Sequence, residues 1–326
     1  MVSEVKTSAT SPVIRLGISS CLLGERVRYD GGHKLDRFLV YTLGRFVEWV
    51  PVCPEVEIGL PVPRESMRLV GDPQHPRLIA PKSGTDYTDR MKAWARERLE
   101  QLATMDLCGF VFKKDSPSSG LFRVRVYRAD GMPARTGTGI FPREVMNRFP
   151  LLPLEEEGRL NDMALRENFI ERVFAYYRWS RLLQDDPTPG GLVRFHTAHK
   201  LTLMAHSPKH YTEMGRLVAQ AGTIPWEELS ATYGRLLMEG LALLGTRRKH
   251  VNVMQHLMGY LKKYLSSEDK QELLGLIEDY RNELVPLIVP LTLIQHYVRK
   301  FPVPEWVHQQ VYLNPYPKEL MLRNHV

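Results

Sequence analysis

Cysteine is scarce in this chain: its 326 residues hold three, at positions 21, 53 and 108. Three thiols so widely spaced cannot staple a small secreted scaffold. Reduced thiols and a cytoplasmic setting are therefore expected. No apolar run approaches the ~18 residues of a membrane-spanning helix. The first dozen residues are polar and lack an apolar core, which predicts a disordered N-terminus over 1–12 and no signal peptide. Internal repeats are absent. A large excess of one charge is also missing: the net charge is +7, and the basic surplus lies mainly in the first half. That surplus is a weak pull toward a polyanion.

What is present has two halves. In the first, strand-like and helix-like stretches alternate. Val13 to Ile18 reads as a buried strand, and Lys34 to Phe46 carries Leu35, Phe38, Leu39, Leu43 and Phe46 at helical spacing. Val47 to Val52 is a second strand, followed by a Pro- and Gly-rich loop over 59–84. Thr88 to Thr104 is a helix with Met91, Trp94, Ala95, Leu99 and Leu102 on one face. Leu107 to Phe112 and Phe122 to Tyr127 are the third and fourth strands. Such alternation predicts an α/β domain with a mainly parallel, Rossmann-like sheet over 13–152, because parallel neighbours need a crossover. An acidic linker is expected over 153–160. Beyond it nearly everything has helical period, so 161–326 reads as an all-helical domain, its last helix bent at Pro286 and Pro290.

Three loops follow the predicted strands: Ser19–Gly24, Val52–Glu55 and Lys114–Gly120. Ligands gather at the carboxyl ends of strands in parallel sheets. Cys21, Cys53 and Ser119 lie past those ends, so the loops are expected to converge on one crevice. Cys108 begins a strand and reads as a buried structural residue. Cys21 and Cys53, among Gly, Pro and Ser, read as ligands or reactive thiols. Iron–sulfur clusters use cysteine thiolates, three of them when one iron stays open. Here the set is two thiols and a hydroxyl.

Several segments carry a resemblance. They are Ile18–Gly24, Arg28–Gly32, Val50–Glu55, Gly59–Arg64 and Lys113–Gly120 in the first half, and Phe195–Lys200 and His250–His256 in the second. The chain resembles the thiouracil desulfidase family, an iron–sulfur family long catalogued as a domain of unknown function, fused to its helical partner domain. The fused form is similar to bacterial desulfidases that remove sulfur from 4-thiouridine in tRNA. The resemblance implies a 4Fe–4S cluster on three cysteines with one iron open, giving uridine and hydrogensulfide. Two ligands fall on Cys21 and Cys53; the third falls on Ser119, where cysteine is expected. Further active-site residues fall on Glu55, as general base, and Ser116. The serine at 119 is expected to impair this chain, and the cluster is expected to be weakened or absent. The alternative is a non-catalytic RNA-binding protein that has lost the cluster.

A thionucleoside within tRNA would need its backbone held and its base turned outward. Arg26, Arg28, Lys34, Lys113, Lys114, Arg123 and Arg125 lie near the loops and are the candidates for phosphate contact. The spacing of Arg123 and Arg125 predicts one strand face. Without a third ligand or a His-Glu-x-x-His pattern, the histidines of the second half (196, 199, 206, 210, 250 and 256) argue less for zinc than for a polar face touching RNA or the first domain. Phe174, Tyr176, Tyr177 and Trp179 read as helix packing.

Overall fold

The computed structural model describes residues 13–128 and 131–325. The expected disordered stretch 1–12 lies outside the described residues. The chain divides into two compact units, Met1–Gly158 and Arg159–Val326.

Eight strands order the first unit: β1 (Arg15–Ser19), β2 (Glu48–Val52), β3 (Arg68–Val70), β4 (Arg77–Ile79), β5 (Leu107–Phe112), β6 (Val124–Tyr127), β7 (Pro133–Gly137) and β8 (Leu154–Glu156). Four of them form a wholly parallel sheet in the order β2-β1-β5-β8. Every residue of β5 is buried, as a central parallel strand covered on both faces requires. Gly17 lets the Phe110 ring lie against the β1 backbone; a Cβ there would fall 2.1 Å from the ring. Three helices follow the chain between strands: α1 (Pro54–Glu57), α2 (Thr88–Ala103) and α3 (Ile140–Arg148).

The structure departs from the sequence reading in four places here. Residues 34–46 wind as a π turn (Phe38–Thr42) and a 3-10 turn (Leu43–Arg45), not as a regular α-helix, although Leu39 and Leu43 are buried as the period requires. The loop over 59–84 contains β3 and β4, three-residue strands too short to show a period. The fourth predicted strand, β6, belongs to a second sheet of order β4-β3-β6-β7. The stretch expected to be linker holds β8, which takes the edge of the parallel sheet. Its acidic composition misleads because Glu156 is buried as an acceptor, taking the backbone N–H groups of Leu121 (2.8 Å) and Phe122 (3.0 Å).

The second unit is helical: α4 (Met163–Asp185), α5 (Pro189–His206), α6 (Pro208–Ala219), α7 (Trp226–Ala242), α8 (Arg247–Leu261), α9 (Ser267–Arg281), α10 (Ile288–Lys300) and α11 (Glu305–His308). Side-chain caps set several starts: Asp162 before α4, Thr188 before α5, Ser207 before α6, and a reciprocal Ser266–Asp269 box on α9. The expected bend in the last long helix does not occur. Pro286 precedes α10 and Pro290 lies in its first turn, where no intrahelical N–H is needed.

Four of the six candidate histidines do not belong to a polar face; His256 is exposed and His210 half-buried. His196, His199, His206 and His250 are buried. All four find partners inside: His196 with Tyr233 (3.2 Å), His206 with Glu171 (2.7 Å), His250 with Tyr312 (2.9 Å) and His199 with the Phe195 carbonyl (2.8 Å). Hydrogen-bonding partners distant in sequence make burial affordable in free energy, and spacing alone does not reveal them. Arg323, in the closing turn Leu322–Asn324, lies 3.6 Å from Glu167 and 3.7 Å from Glu171. Phe174 and Trp179 are buried, the latter stacked on Tyr233, so that stretch is packing.

Candidate functional site

Three adjacent strands of the parallel sheet end at the three loops. β1 runs into a 3-10 turn, Ser20–Leu23, that carries Cys21. The turn closes on Gly24 in the left-handed region, at φ 97°. β2 ends at Cys53, which takes the position just before α1 with Pro54 as its first residue. Glu57 fixes this corner by accepting the Cys53 N–H at 3.0 Å, and Arg98 holds Glu57 at 3.2 Å. β5 leads into the serine loop, which folds back through Gly120 N–H to Ser116 O at 2.7 Å.

The loops surround one cavity of about 420 Å³ whose walls include Cys21, Cys53, Glu55, Ser116 and Ser119. The expected convergence of the strand-end loops is therefore a feature of the fold. Both thiols are free and buried. Burial pushes the Cys21 thiol up to about 11, against the pull of Lys113 and Arg28. Burial, then the Glu55 carboxylate, pushes Cys53 up to about 12. Such thiols keep their protons until a cation takes the proton's place. Cys108 is buried away from the cavity walls, on β5.

Glu55 is the hub. Its Oε1 accepts from the Ser118 hydroxyl, and its Oε2 lies 3.6 Å from Cys53 Sγ and 3.8 Å from Arg64. Ser116 reaches this carboxylate through Ser118: the two hydroxyls are 3.0 Å apart, and Ser116 Oγ also accepts the Ser119 N–H at 3.1 Å. Ser119 Oγ faces Ser118 Oγ at 3.4 Å. Sequence reasoning did not single out Ser118 or Arg64. Both lie inside the motifs quoted above, but spacing does not tell which serine of three meets the glutamate.

Arg28, Lys34, Lys113 and Lys114 line the cavity. Lys113 pairs with Glu157, and Arg28 with Asp30 at 3.5 Å. Arg26 is exposed and outside the lining. Arg123 and Arg125 do not share a strand face. Arg123 precedes β6 with φ 53°, and the β6–β7 register shifts between Val124 and Arg125, so the two-residue period does not reach back to 123. Arg125 lines a second, smaller hollow of about 240 Å³. Among the described residues no three His, Cys, Asp or Glu side chains are grouped to hold a metal ion. At the cavity the third position is a serine. No helix among the described residues is long and apolar enough to cross a membrane.

A parallel-sheet fold whose strand-end cavity carries two thiols beside a hydrogen-bonded carboxylate defines a ligand-binding centre of the α/β class. Comparison with known proteins makes the class specific. A sequence profile described as 2-thiouracil desulfurase matches residues 16–157, and one described as a protein of unknown function, DUF1722, matches residues 200–317. The uncharacterized protein YbgA of Escherichia coli K12 is 31% identical over 168 residues, covering 51% of this chain and 98% of YbgA. The uncharacterized protein YbbK of Bacillus subtilis 168 is 30% identical over 108 residues, covering 32% of this chain and 71% of YbbK. A solved structure of the 4Fe–4S-dependent thiouracil desulfidase TudS shares 29% identity, with 47% of this chain and 97% of that chain covered and a TM-score of 0.39. The chain belongs to the thiouracil desulfidase family, in the form fused to the DUF1722 partner domain.

Proposed function

We propose that the protein is a desulfidase of thiolated uracil, acting on 4-thiouridine in tRNA, whose cluster site is incomplete in this chain. The observation that carries the reading is the meeting of Cys21, Cys53, Ser119 and Glu55 in one cavity of a member of this family. Two thiols and a hydroxyl on three neighbouring strand ends suit a three-ligand 4Fe–4S group in position. In donor chemistry they fall one thiolate short, since a hydroxyl is a harder ligand and gives up its proton far less readily. Cys21, Cys53 and a cysteine at 119 would hold the group. Its open iron would supply Lewis-acid polarisation of the thiocarbonyl.

The chain's own residues supply the rest. Glu55 takes a proton from a water molecule that attacks the ring carbon bearing sulfur. Ser118, backed by Ser116, donates to Oε1 and leaves Oε2 toward the cavity side where Cys53 and Arg64 lie. The C–S bond then breaks, sulfur leaves as hydrogensulfide, and oxygen from water stays on the ring. No net oxidation or reduction occurs. Lys34 and Lys114, on the cavity wall, suit contact with the nucleotide's phosphate.

One observation favours a second reading, an RNA-binding protein without catalysis: Ser119 sits within hydrogen-bonding reach of Ser118, as a structural hydroxyl would. The test is to supply the Ser119→Cys protein, reconstituted anaerobically, with 4-thiouridine tRNA, free 4-thiouridine and 2-thiouracil. Release of hydrogensulfide with loss of the thiocarbonyl absorbance is expected, with tRNA the best substrate. Binding of tRNA without sulfide release from any of the three would leave the second reading.

A further inference from the structure

The solvent face of the second sheet holds arginines in a line. β3 and β6 run parallel with Leu69 beside Val126, a register that brings Arg68 beside Arg125. β6 and β7 run antiparallel with Arg125 directly opposite Arg135. Leu69 and Val126 are fully buried, so alternation turns the three arginines to the other face, where all are exposed. Like charges facing each other across a ladder destabilise a sheet. Among the described residues Arg135 alone of the three has a counter-ion, Asp115 at 3.5 Å, and both members of that pair are about half-exposed. Arg68 and Arg125 make no ion pair among the described residues, and the Arg68 guanidinium lies 4.8 Å over the Tyr127 ring. A surface that keeps such a row is arranged for an anion with several charges.

The position of the row says which anion. Arg68 and Arg125 line the hollow of about 240 Å³ together with Tyr127. This hollow shares Met67, Asp115 and Pro117 with the cavity of the cysteines, so the two depressions meet at a common rim. A free thiolated base carries no phosphate and has no use for this row. A base within a strand brings one charge per nucleotide past the rim.

We infer that Arg68, Arg125 and Arg135 form a track for the phosphodiester backbone of a single-stranded RNA segment whose thiolated base enters the neighbouring cavity. The inference rests on the desulfidase reading and extends it to a second surface: the nucleotides beside the modified one are bound by sheet β4-β3-β6-β7. Guanidinium groups in line suit backbone oxygens and read no base edge, so the track is indifferent to flanking sequence.

The test compares the full chain with Arg68→Gln/Arg125→Gln, Arg68→Lys/Arg125→Lys and a control at an exposed arginine of α2 outside the hollow, Arg96→Gln. The probes are a short single-stranded RNA containing one 4-thiouridine and the free nucleoside 4-thiouridine. Removing two phosphate contacts should weaken RNA binding roughly tenfold and reduce the slope of log affinity against log salt by about 1.4, since each contact on a single strand contributes about 0.7. The lysine pair should keep most of both, and the control should change neither. Nucleoside binding should be the same in all four proteins. RNA affinity and salt slope unchanged in the glutamine pair would overturn the track. So would a change confined to the protein's own oligomeric state, which would assign the row to a protein contact. Failure of the nucleoside to bind the same four proteins carrying Ser119→Cys and reconstituted anaerobically would count instead against the desulfidase reading.

Discussion

Ser119 and Glu55 stand at opposite ends of one short hydrogen-bonded chain through Ser118. The two ends answer to different measurements. In a Ser119→Cys background, Glu55→Gln keeps the shape and the Ser118 contact while removing the base. Desulfidation should fall by about 10²–10⁴-fold with iron content unchanged. Loss of iron together with activity would instead make Glu55 a support for the cluster. Cys21, Cys53 and Ser119 are legible in the sequence because each follows an apolar run that ends at a loop, while Glu55 comes only from the family resemblance. The sequence does not make Arg64 or Ser118 legible, since their role lies in contacts 9 and 63 residues away in the chain, visible only once the loops meet.

The parallel sheet could be read because β1, β2 and β5 are five or six residues long and rich in apolar side chains. β3, β4 and β8 could not, because three residues carry no measurable period and charged termini imitate loop. The serine loop depends on close approach. At Gly120 a Cβ would fall 2.6 Å from Val124 Cγ2 and 2.7 Å from Ser116 O. Gly120→Ala should therefore force the loop open, costing about 1–3 kcal/mol in denaturant unfolding. In the Ser119→Cys background it should also lower iron content, because position 119 moves away from the two thiols. A variant of normal stability and normal iron content would contradict this placement of the loop.

Across the whole molecule the two units answer to pH for different reasons, and the helical unit carries most of the buried titratable groups. Burial brings His199 and His250 from the usual 6.5 down to about 3, so both stay neutral inside. Burial would raise Glu171, but His206 outweighs it and brings the carboxyl from 4.5 down to about 2. Burial likewise raises Glu167, and Glu171 adds to that; His206 is held up by Glu171 despite burial. As pH falls from 6.5 to 4.5 the unfolded chain protonates histidines that stay neutral in the fold, His196, His199 and His250, and stability declines; the raised Glu167 offsets part of this, while His206 is protonated in both states and adds nothing further. Below 4.5 the unfolded chain binds protons that folded His199, His250 and Glu171 refuse, and stability falls as pH falls. Denaturant midpoints followed by tryptophan fluorescence should decline from pH 6.5 to 4.5 and fall more steeply from 4.5 to 3, where Glu171 joins the histidines. A level midpoint down to pH 3 would contradict the buried network. Whether three strand ends hold one cluster is tested most directly by anaerobic iron and acid-labile sulfide analysis of this chain beside Ser119→Cys. Close to four irons per chain in the cysteine form, and far fewer with Ser119, is the predicted result. Absence of iron and sulfide from both proteins would contradict it.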